Sequence, residues 1–249
     1  MIAGRPEYGK SVFALNLALN IASNPFVDKS VLYVSTELDM SEHVFSDRLT
    51  ANLTQVSIDD IKSGNKLSAQ DSETLLKNLK QFNTVSSNSN CLSKLYFSFT
   101  DGVDISSIME SISILTQSER GISCLIVGPV FLHPVSPGTY KRNLKSLKAL
   151  AQKLKIPVIV ISLTSRAAEK RVNSEWEHPS KQKPILEDIC FSSIVKEYAD
   201  VVLHMERSIY RTACSYELKS KVRITFYKED NDSIQNTSMM FLSTFLGDN

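Results

Sequence analysis

Eight consecutive residues near the start of the chain have types and a spacing that suit phosphate chemistry. They fit the pattern G-x-x-x-x-G-K-[ST], in which glycines let the backbone curl until successive N–H groups point at phosphate oxygens. The lysine of such a loop, here Lys10, reaches the β- and γ-phosphates, and the next hydroxyl, here Ser11, ligates Mg²⁺. The predicted nucleotide site comprises Gly4, Arg5, Pro6, Glu7, Tyr8, Gly9, Lys10 and Ser11.

A phosphate loop of this kind needs a strand before it and a helix after it. Residues 1–3 form a short apolar segment in the strand position, and residues 12–19 have strongly helical composition. A helix that begins at the loop directs the positive end of its dipole at the bound phosphate. A chance match at a turn is the competing interpretation, and the flanking strand and helix argue against it.

Short apolar runs rich in β-branched residues alternate with segments of helical periodicity. The runs predict strands at 31–35, 94–98, 124–127, 157–161 and 201–204. The periodic segments predict helices at 10–22, 41–53, 68–82, 104–117 and 140–154. Two further apolar runs, 223–226 and 239–242, predict a C-terminal β-hairpin. This alternation is typical of an α/β fold with a twisted, mostly parallel sheet flanked by helices, here as one domain over 1–249.

Composition is that of an ordinary globular domain and excludes few functions. Of the 249 residues, 42% are hydrophobic and 22% are charged, and the net charge of +1 neither favours nor excludes nucleic-acid binding. The chain has no apolar run of about 18 residues and no signal-like start, so we expect no membrane partner and a cytoplasmic location. The four cysteines lack a C-x-x-C pair and predict reduced thiols, and the four histidines lack metal-ligand spacing.

Residues 166–183 form a long, irregular segment with five basic residues, three acidic residues and the only tryptophan. Structureless loops of this length are uncommon inside domains and often carry function. The segment predicts a mobile basic loop that touches a ligand or nucleic acid. A solvated connection that happens to be long is the alternative, and the sequence leaves both open.

Several longer motifs follow one another in the order of a known family. They lie at 2–6, 9–10, 13–16, 34–37, 143–151, 156–159, 162–166, 184–188 and 199–202. The series resembles the C-terminal motor domain of DnaB-family replicative helicases, which are RecA-like P-loop NTPases. The resemblance extends over nearly the whole chain and implies a RecA-like fold for it.

The resemblance also implies roles for individual residues. Glu37 would end the strand next to the phosphate loop and polarise the attacking water, with a plain strand-end carboxylate as the alternative. Lys228 would reach the nucleotide of a neighbouring subunit. Arg166, Lys170 and Arg171 fall in a stretch that lines the central pore in this family and are candidates for DNA binding, although a solvated face is equally consistent with them. The implied ligands are ATP, Mg²⁺ and single-stranded DNA, and the implied assembly is a homo-oligomeric ring or a hetero-assembly with a helicase.

Four functional positions depart from the family pattern. Gly128 stands where the family has the aspartate that holds Mg²⁺ through water, and Leu163 stands where a glutamine contacts the γ-phosphate. Residues 190–193 read Cys-Phe-Ser-Ser where the family has a charged pair and a glycine near DNA, and Asp230 replaces the arginine finger. Groups near these positions that could substitute are Asp28, Asp39, Thr164 and Ser165.

We therefore expect a DnaB-like ATP-binding motor domain with impaired ATP hydrolysis and weak binding of single-stranded DNA. The alternative is a non-catalytic NTP-binding paralogue or a structural partner of an active helicase. The family's N-terminal collar domain and linker helix are not expected within these 249 residues. Restoring an aspartate at Gly128 is expected to tighten Mg²⁺-ATP while hydrolysis stays near background.

Overall fold

The computed structural model describes most of the chain in eleven stretches. The described residues are 1–6, 8–36, 42–54, 56–63, 73, 94–100, 102–117, 121–130, 136–165, 185–207 and 222–228. The strands are β1 (Ile2–Gly4), β2 (Ser30–Ser35), β3 (Leu95–Phe99), β4 (Ile122–Gly128), β5 (Val158–Leu163), β6 (Val201–Arg207) and β7 (Val222–Lys228). The helices are α1 (Lys10–Ser23), α2 (Glu42–Thr54), α3 (Ile58–Ser63), α4 (Ile105–Gln117), α5 (Pro137–Leu154) and α6 (Ser192–Tyr198), with a 3-10 turn at Leu186–Asp188.

The strands form one sheet of seven in the order β3-β2-β4-β5-β1-β6-β7. Neighbouring strands are parallel except for β7, which runs antiparallel to β6. The expected α/β fold with a mostly parallel sheet is confirmed. The strand predicted at 223–226 lies within β7, whereas the partner predicted at 239–242 and the helix predicted at 68–82 lie outside the described residues.

Buried side chains cover both faces of the sheet, which explains why the strands are apolar on both sides. On one face, Ala14 and Leu15 of α1 pack with Tyr33 of β2 and Phe45 of α2. The rings of Phe45 and Phe97 lie 4.3 Å apart between centroids. The opposite face packs against α4, α5 and α6 through a second cluster that includes Ile108, Val127, Tyr140, Leu147 and Val195.

Local hydrogen bonds explain where helices begin differently from the sequence prediction. Helix α5 starts three residues before the predicted 140 because Ser136 accepts a hydrogen bond from the N–H of Thr139 and Pro137 occupies the first turn. The sequence pattern does not predict helix α3. Ser57 begins it by accepting a hydrogen bond from the N–H of Asp60, but its six residues bury no side chain and leave no apolar periodicity to detect.

In the described part of the chain, none of the helices combines the length and apolar character needed to span a bilayer.

Candidate nucleotide-binding site

The phosphate loop lies at the carboxyl end of β1, in the middle of the sheet between β5 and β6. Gly4 ends the strand, and a Cβ atom there would lie 2.7 Å from the carbonyl oxygen of Met205 on β6. Only glycine fits so close to a neighbouring backbone. The first glycine of the motif is therefore required by packing as well as by the loop.

Gly9 and Lys10 turn the chain from the loop into α1. Gly9 has φ 82, a left-handed conformation that favours glycine, and its carbonyl accepts a 2.8 Å hydrogen bond from the N–H of Phe13. The first turn of α1 carries no acidic side chain and no side-chain cap. The N–H groups at this helix start are therefore directed, with the positive end of the helix dipole, at the place where a phosphate would bind. Ser11 is the second residue of the helix and is half-buried.

Side chains of the loop bond to one another. The Lys10 ammonium donates to the carbonyl oxygen of Arg5 at 2.5 Å, and the N–H of Tyr8 donates to the same oxygen at 3.4 Å. The Arg5 guanidinium donates to the Tyr8 hydroxyl at 3.2 Å and lies 5.5 Å from the centroid of the Tyr8 ring. Lys10 and Tyr8 are both buried. The loop thus keeps its shape while its lysine is held on a backbone carbonyl that a phosphate oxygen can replace.

The sequence motif did not reveal the contact between Arg5 and Tyr8. In the pattern both positions accept any residue, and only the turn of the loop brings them together. Glu7, the remaining member of the predicted set, lies outside the described residues. Pro6 is exposed in the turn.

At the end of β2, the residue before the predicted catalytic glutamate is fixed in place. Thr36 is buried, its N–H donates to the carbonyl of Gly128 at 3.3 Å, and its hydroxyl donates to the carbonyl of Pro129. These bonds join the ends of β2 and β4. Glu37 itself lies outside the described residues, so its catalytic role stays a prediction.

The end of β4 is closed where the family carries its magnesium aspartate. Gly128 has φ 155, and a Cβ atom there would lie 2.5 Å from the Cβ, 3.0 Å from the nitrogen and 3.1 Å from the Cα of Ile161. The N–H of the buried Val130 donates to the Ile161 carbonyl at 2.9 Å and holds the two strands at this spacing. The expectation that an aspartate restored at Gly128 would tighten Mg²⁺-ATP stays a prediction, and these contacts argue against it because β5 occupies the space the side chain needs.

One proposed substitute for the lost γ-phosphate contact, Thr164, faces away from the phosphate loop. Leu163 pairs with Gly4 in the sheet, and its side chain carries no hydrogen-bonding group. Side chains alternate along a strand, so Thr164 points to the opposite face from Leu163. Its hydroxyl is buried, with no hydrogen-bond partner among the described residues, and its N–H donates to the Gly4 carbonyl at 3.3 Å. The N–H of Ser165 donates to the carbonyl of Asp188 at 2.7 Å.

Of the two aspartates suggested as substitutes, Asp28 is among the described residues. Asp28 precedes β2, whereas the phosphate loop follows β1. In a parallel sheet these are opposite edges, separated by the length of a six-residue strand, roughly 20 Å. Asp28 therefore cannot reach the nucleotide of its own chain. Asp39 lies outside the described residues.

The described residues do not offer Mg²⁺ its usual donor set. The ends of β1, β2, β4 and β5 carry Gly4, Ser35, Gly128 and Leu163, none of them a carboxylate. Across the described ranges, no group of three or more His, Cys, Asp or Glu side chains could hold a metal ion. Ser11 is thus the motif ligand that remains, and it is a poor site for Mg²⁺ alone because this ion prefers several oxygen ligands in octahedral geometry.

The stretch that carries DNA contacts in the family is anchored into the core in this chain. Phe191 has φ 52, and its ring lies 5.3 Å from that of the buried Tyr140. The N–H of Cys190 donates to the Leu163 carbonyl at 3.2 Å. The two residues replace a charged pair with a thiol and an apolar ring. The DNA-binding candidates Arg166, Lys170 and Arg171, and the whole predicted loop 166–183, lie outside the described residues.

Lys228 ends β7 and pairs with Val201, the first residue of β6. Because β6 runs parallel to β1, this is the edge of the sheet opposite the phosphate loop. Lys228 is therefore not brought together with Lys10 and Ser11 in one chain. Asp230 lies outside the described residues.

Two cysteines that the structure describes, Cys124 and Cys190, are in the reduced form, as the sequence predicted. Burial raises the pKa of the Cys124 thiol to about 12, so it is an inert part of the core. Cys91 and Cys214 lie outside the described residues.

Comparison with known proteins identifies the family. The model of the DnaB-like helicase C-terminal domain matches residues 1–246. The chain belongs to this family. It is 27% identical over 253 residues to the replicative DNA helicase DnaC of Bacillus subtilis, a match that covers 98% of this chain and 50% of that protein. It is also 27% identical to a probable plasmid replicative DNA helicase of Chlamydia psittaci, covering 98% of this chain and 49% of that protein.

The fold of the DnaB-like C-terminal domain is confirmed by a solved structure. A DnaB-like replicative helicase, described together with its interactions with primase, superposes with a TM-score of 0.71 at 22% identity. The superposition covers 94% of this chain and 52% of that one. The chain spans about half the length of the relatives it matches. The RecA-like architecture expected from the motifs is thus confirmed.

Proposed function

We propose that this chain is an ATP-binding DnaB-like motor domain that binds nucleotide at the phosphate loop and hydrolyses it very slowly. One observation carries the proposal. The strand ends on either side of β5 differ, because the loop after β1 keeps every group of its motif in a phosphate-binding arrangement while Gly128 at the end of β4 is closed by the Ile161 backbone.

Retained binding follows from groups that act without the β4 aspartate. The Lys10 ammonium can exchange the Arg5 carbonyl for a phosphate oxygen, and the N–H groups of the loop and of α1 are already oriented. Slow turnover follows because phosphoryl transfer depends on positioning and on neutralising the charge that develops on the γ-phosphate. Leu163 offers no donor for that charge, and Gly128 cannot orient a metal-bound water.

Calorimetric titration with ATP tests the binding half of the proposal. Wild-type protein should bind one nucleotide per chain, and Lys10→Ala should weaken binding strongly because it removes the charge on the β- and γ-phosphates. Lys153→Ala is the matched control, since Lys153 is exposed in the last turn of α5, at the other edge of the sheet. Equal affinity in wild type and Lys10→Ala would show that the phosphate loop is not the site.

We further propose that binding of single-stranded DNA is weak. Cys190 and Phe191 contribute no charge where relatives carry a charged pair, and Phe191 packs on Tyr140 instead of reaching outward. Few phosphate contacts imply a shallow dependence of log affinity on log salt, about 0.7 per phosphate for single strands. Anisotropy of a labelled oligothymidylate, measured at several salt concentrations, checks this. A tight complex whose affinity falls steeply with salt, as many phosphate contacts would produce, would contradict it.

A second candidate function is that of a nucleotide-binding subunit that does not hydrolyse ATP and assembles with an active helicase. If Lys228 contacts nucleotide, as the resemblance implies, it does so in another chain, because Lys228 lies at the edge opposite its own phosphate loop. Mixing this chain with an active relative distinguishes the two candidates. The subunit hypothesis expects a mixed complex with altered ATPase activity, whereas the motor hypothesis expects self-assembly alone.

A further inference from the structure

We propose that the phosphate loop of this chain takes up nucleoside polyphosphates without needing Mg²⁺. The inference rests on the nucleotide binding proposed above and specifies the form of nucleotide that the site accepts. Its basis is the disagreement between the residues present and the metal that the family pattern implies.

The position of the missing metal ligand is closed by backbone, not merely vacated by mutation. A side chain at Gly128 would meet the Cβ, nitrogen and Cα of Ile161 at 2.5 Å, 3.0 Å and 3.1 Å. A change of rotamer cannot relieve contacts with a nitrogen and a Cα atom. Hydrogen bonds on both sides, from the N–H of Thr36 to the Gly128 carbonyl and from the N–H of Val130 to the Ile161 carbonyl, keep β4 in this place.

Among the described residues, the hydroxyl oxygens of Thr36 and Thr164 do not replace the lost ligand. The Thr36 hydroxyl donates to the Pro129 carbonyl and is 1% exposed, so it is committed to the turn after β4. The Thr164 hydroxyl is buried on the opposite face of the sheet from Leu163 and the phosphate loop. A small cation that requires octahedral coordination gains little from Ser11 as its single motif ligand.

The groups that meet the phosphates, by contrast, act without a metal. Lys10 carries a positive charge, and α1 follows Gly9 with no acidic residue in its first turn. The family aspartate would place a negative charge near the phosphates, and with Gly128 in its place that repulsion of an uncomplexed nucleotide is removed. The site thus keeps the groups that donate hydrogen bonds to phosphates. It lacks the carboxylate that would favour the Mg²⁺ complex over the free nucleotide.

Calorimetric titration of the 249-residue chain with ATP, once with EDTA and once with excess Mg²⁺, tests the inference. We expect dissociation constants that agree within about threefold. Inorganic tripolyphosphate with EDTA should compete with ATP, because the site binds phosphates through Lys10 and backbone N–H groups. Lys10→Ala should lose binding in both conditions, and Lys153→Ala should keep it in both.

The outcomes separate this inference from the proposed function. Binding that tightens by about tenfold or more with Mg²⁺ would overturn the inference and leave the proposed function standing. If Glu37→Gln then removed that gain, the metal would be held from the end of β2. Failure to bind ATP in either condition would overturn both.

Discussion

The loop after β1 and the turn after β4 lie at the same edge of the sheet, separated by one strand, yet they have diverged in opposite ways. The first keeps a lysine, backbone N–H groups and a helix start ready for phosphate. The second has replaced an acid with a glycine whose open side is filled by Ile161. The proposed function therefore assigns binding and turnover to separate groups, so that one can be retained while the other is removed by packing.

Gly128→Asp tests this difference most severely. The new side chain must displace the β5 backbone and bury a carboxylate, so we expect a loss of about 3 kcal/mol or more in the free energy of unfolding. Denaturant titration measures it, through the midpoint at constant slope. Gly138→Ala is the matched control, because Gly138 lies in the first turn of α5 with its nearest outside atom at 3.9 Å, and alanine there should be neutral or stabilising. A stable Gly128→Asp protein that gains affinity for Mg²⁺-ATP would show that the two strand ends do not differ in this way.

Removal of the Thr36 hydroxyl should cause the next largest loss in the free energy of unfolding. Thr36→Val keeps the shape but leaves the buried Pro129 carbonyl without its hydrogen bond, at a cost of about 1–3 kcal/mol in unfolding free energy. Thr36→Ser keeps the hydroxyl and loses a methyl group, at about 0.8 kcal/mol. The same denaturant titration compares them. Equal losses would mean that the hydroxyl does not hold the turn after β4.

In the loop after β1, Tyr8→Phe removes the hydroxyl that accepts a hydrogen bond from the Arg5 guanidinium. It keeps the ring over which the guanidinium lies. We expect ATP affinity to fall about two- to fivefold with unfolding free energy little changed, as for loss of one hydrogen bond. Tyr198→Phe, on the distant α6, should change neither quantity. Wild-type affinity in Tyr8→Phe would show that the hydroxyl does not shape the phosphate loop.

The fold and the phosphate loop were predictable because their signals are local. Apolar runs located β2, β4 and β5, and the glycine and lysine spacing located the loop. The closure at Gly128 was not predictable, because it depends on Ile161 from another strand. The same holds for Thr164, whose direction depends on the register of β5 against β1. Motifs identified which group was lost, whereas the packing decides whether it can be restored.

Ionisation of Asp104 should have a small effect on the stability of the fold. Because Asp104 lies in neither region, it serves as a reference for pH studies. Hydrogen bonds from Ser106 and Ser107 lower its pKa from 3.8 to about 2 at the start of α4. A lowered pKa means that the charged carboxylate stabilises the fold above about pH 4, and that this contribution is lost as the pH falls toward 2. The melting temperature of wild type should exceed that of Asp104→Asn at about pH 6, and the gap should close near pH 2. A constant gap would assign the effect to something other than ionisation.

The steady-state rate of ATP hydrolysis by the purified chain, with and without single-stranded DNA, is the decisive measurement. The separation of binding from turnover predicts saturable ATP binding together with a rate far below about 1 s⁻¹, the lower end of ordinary enzymes. It also predicts that single-stranded DNA does not raise the rate into that range. A rate of about 1 s⁻¹ or faster that Lys10→Ala abolishes would contradict this separation, because other residues would then supply what Gly128 and Leu163 lack.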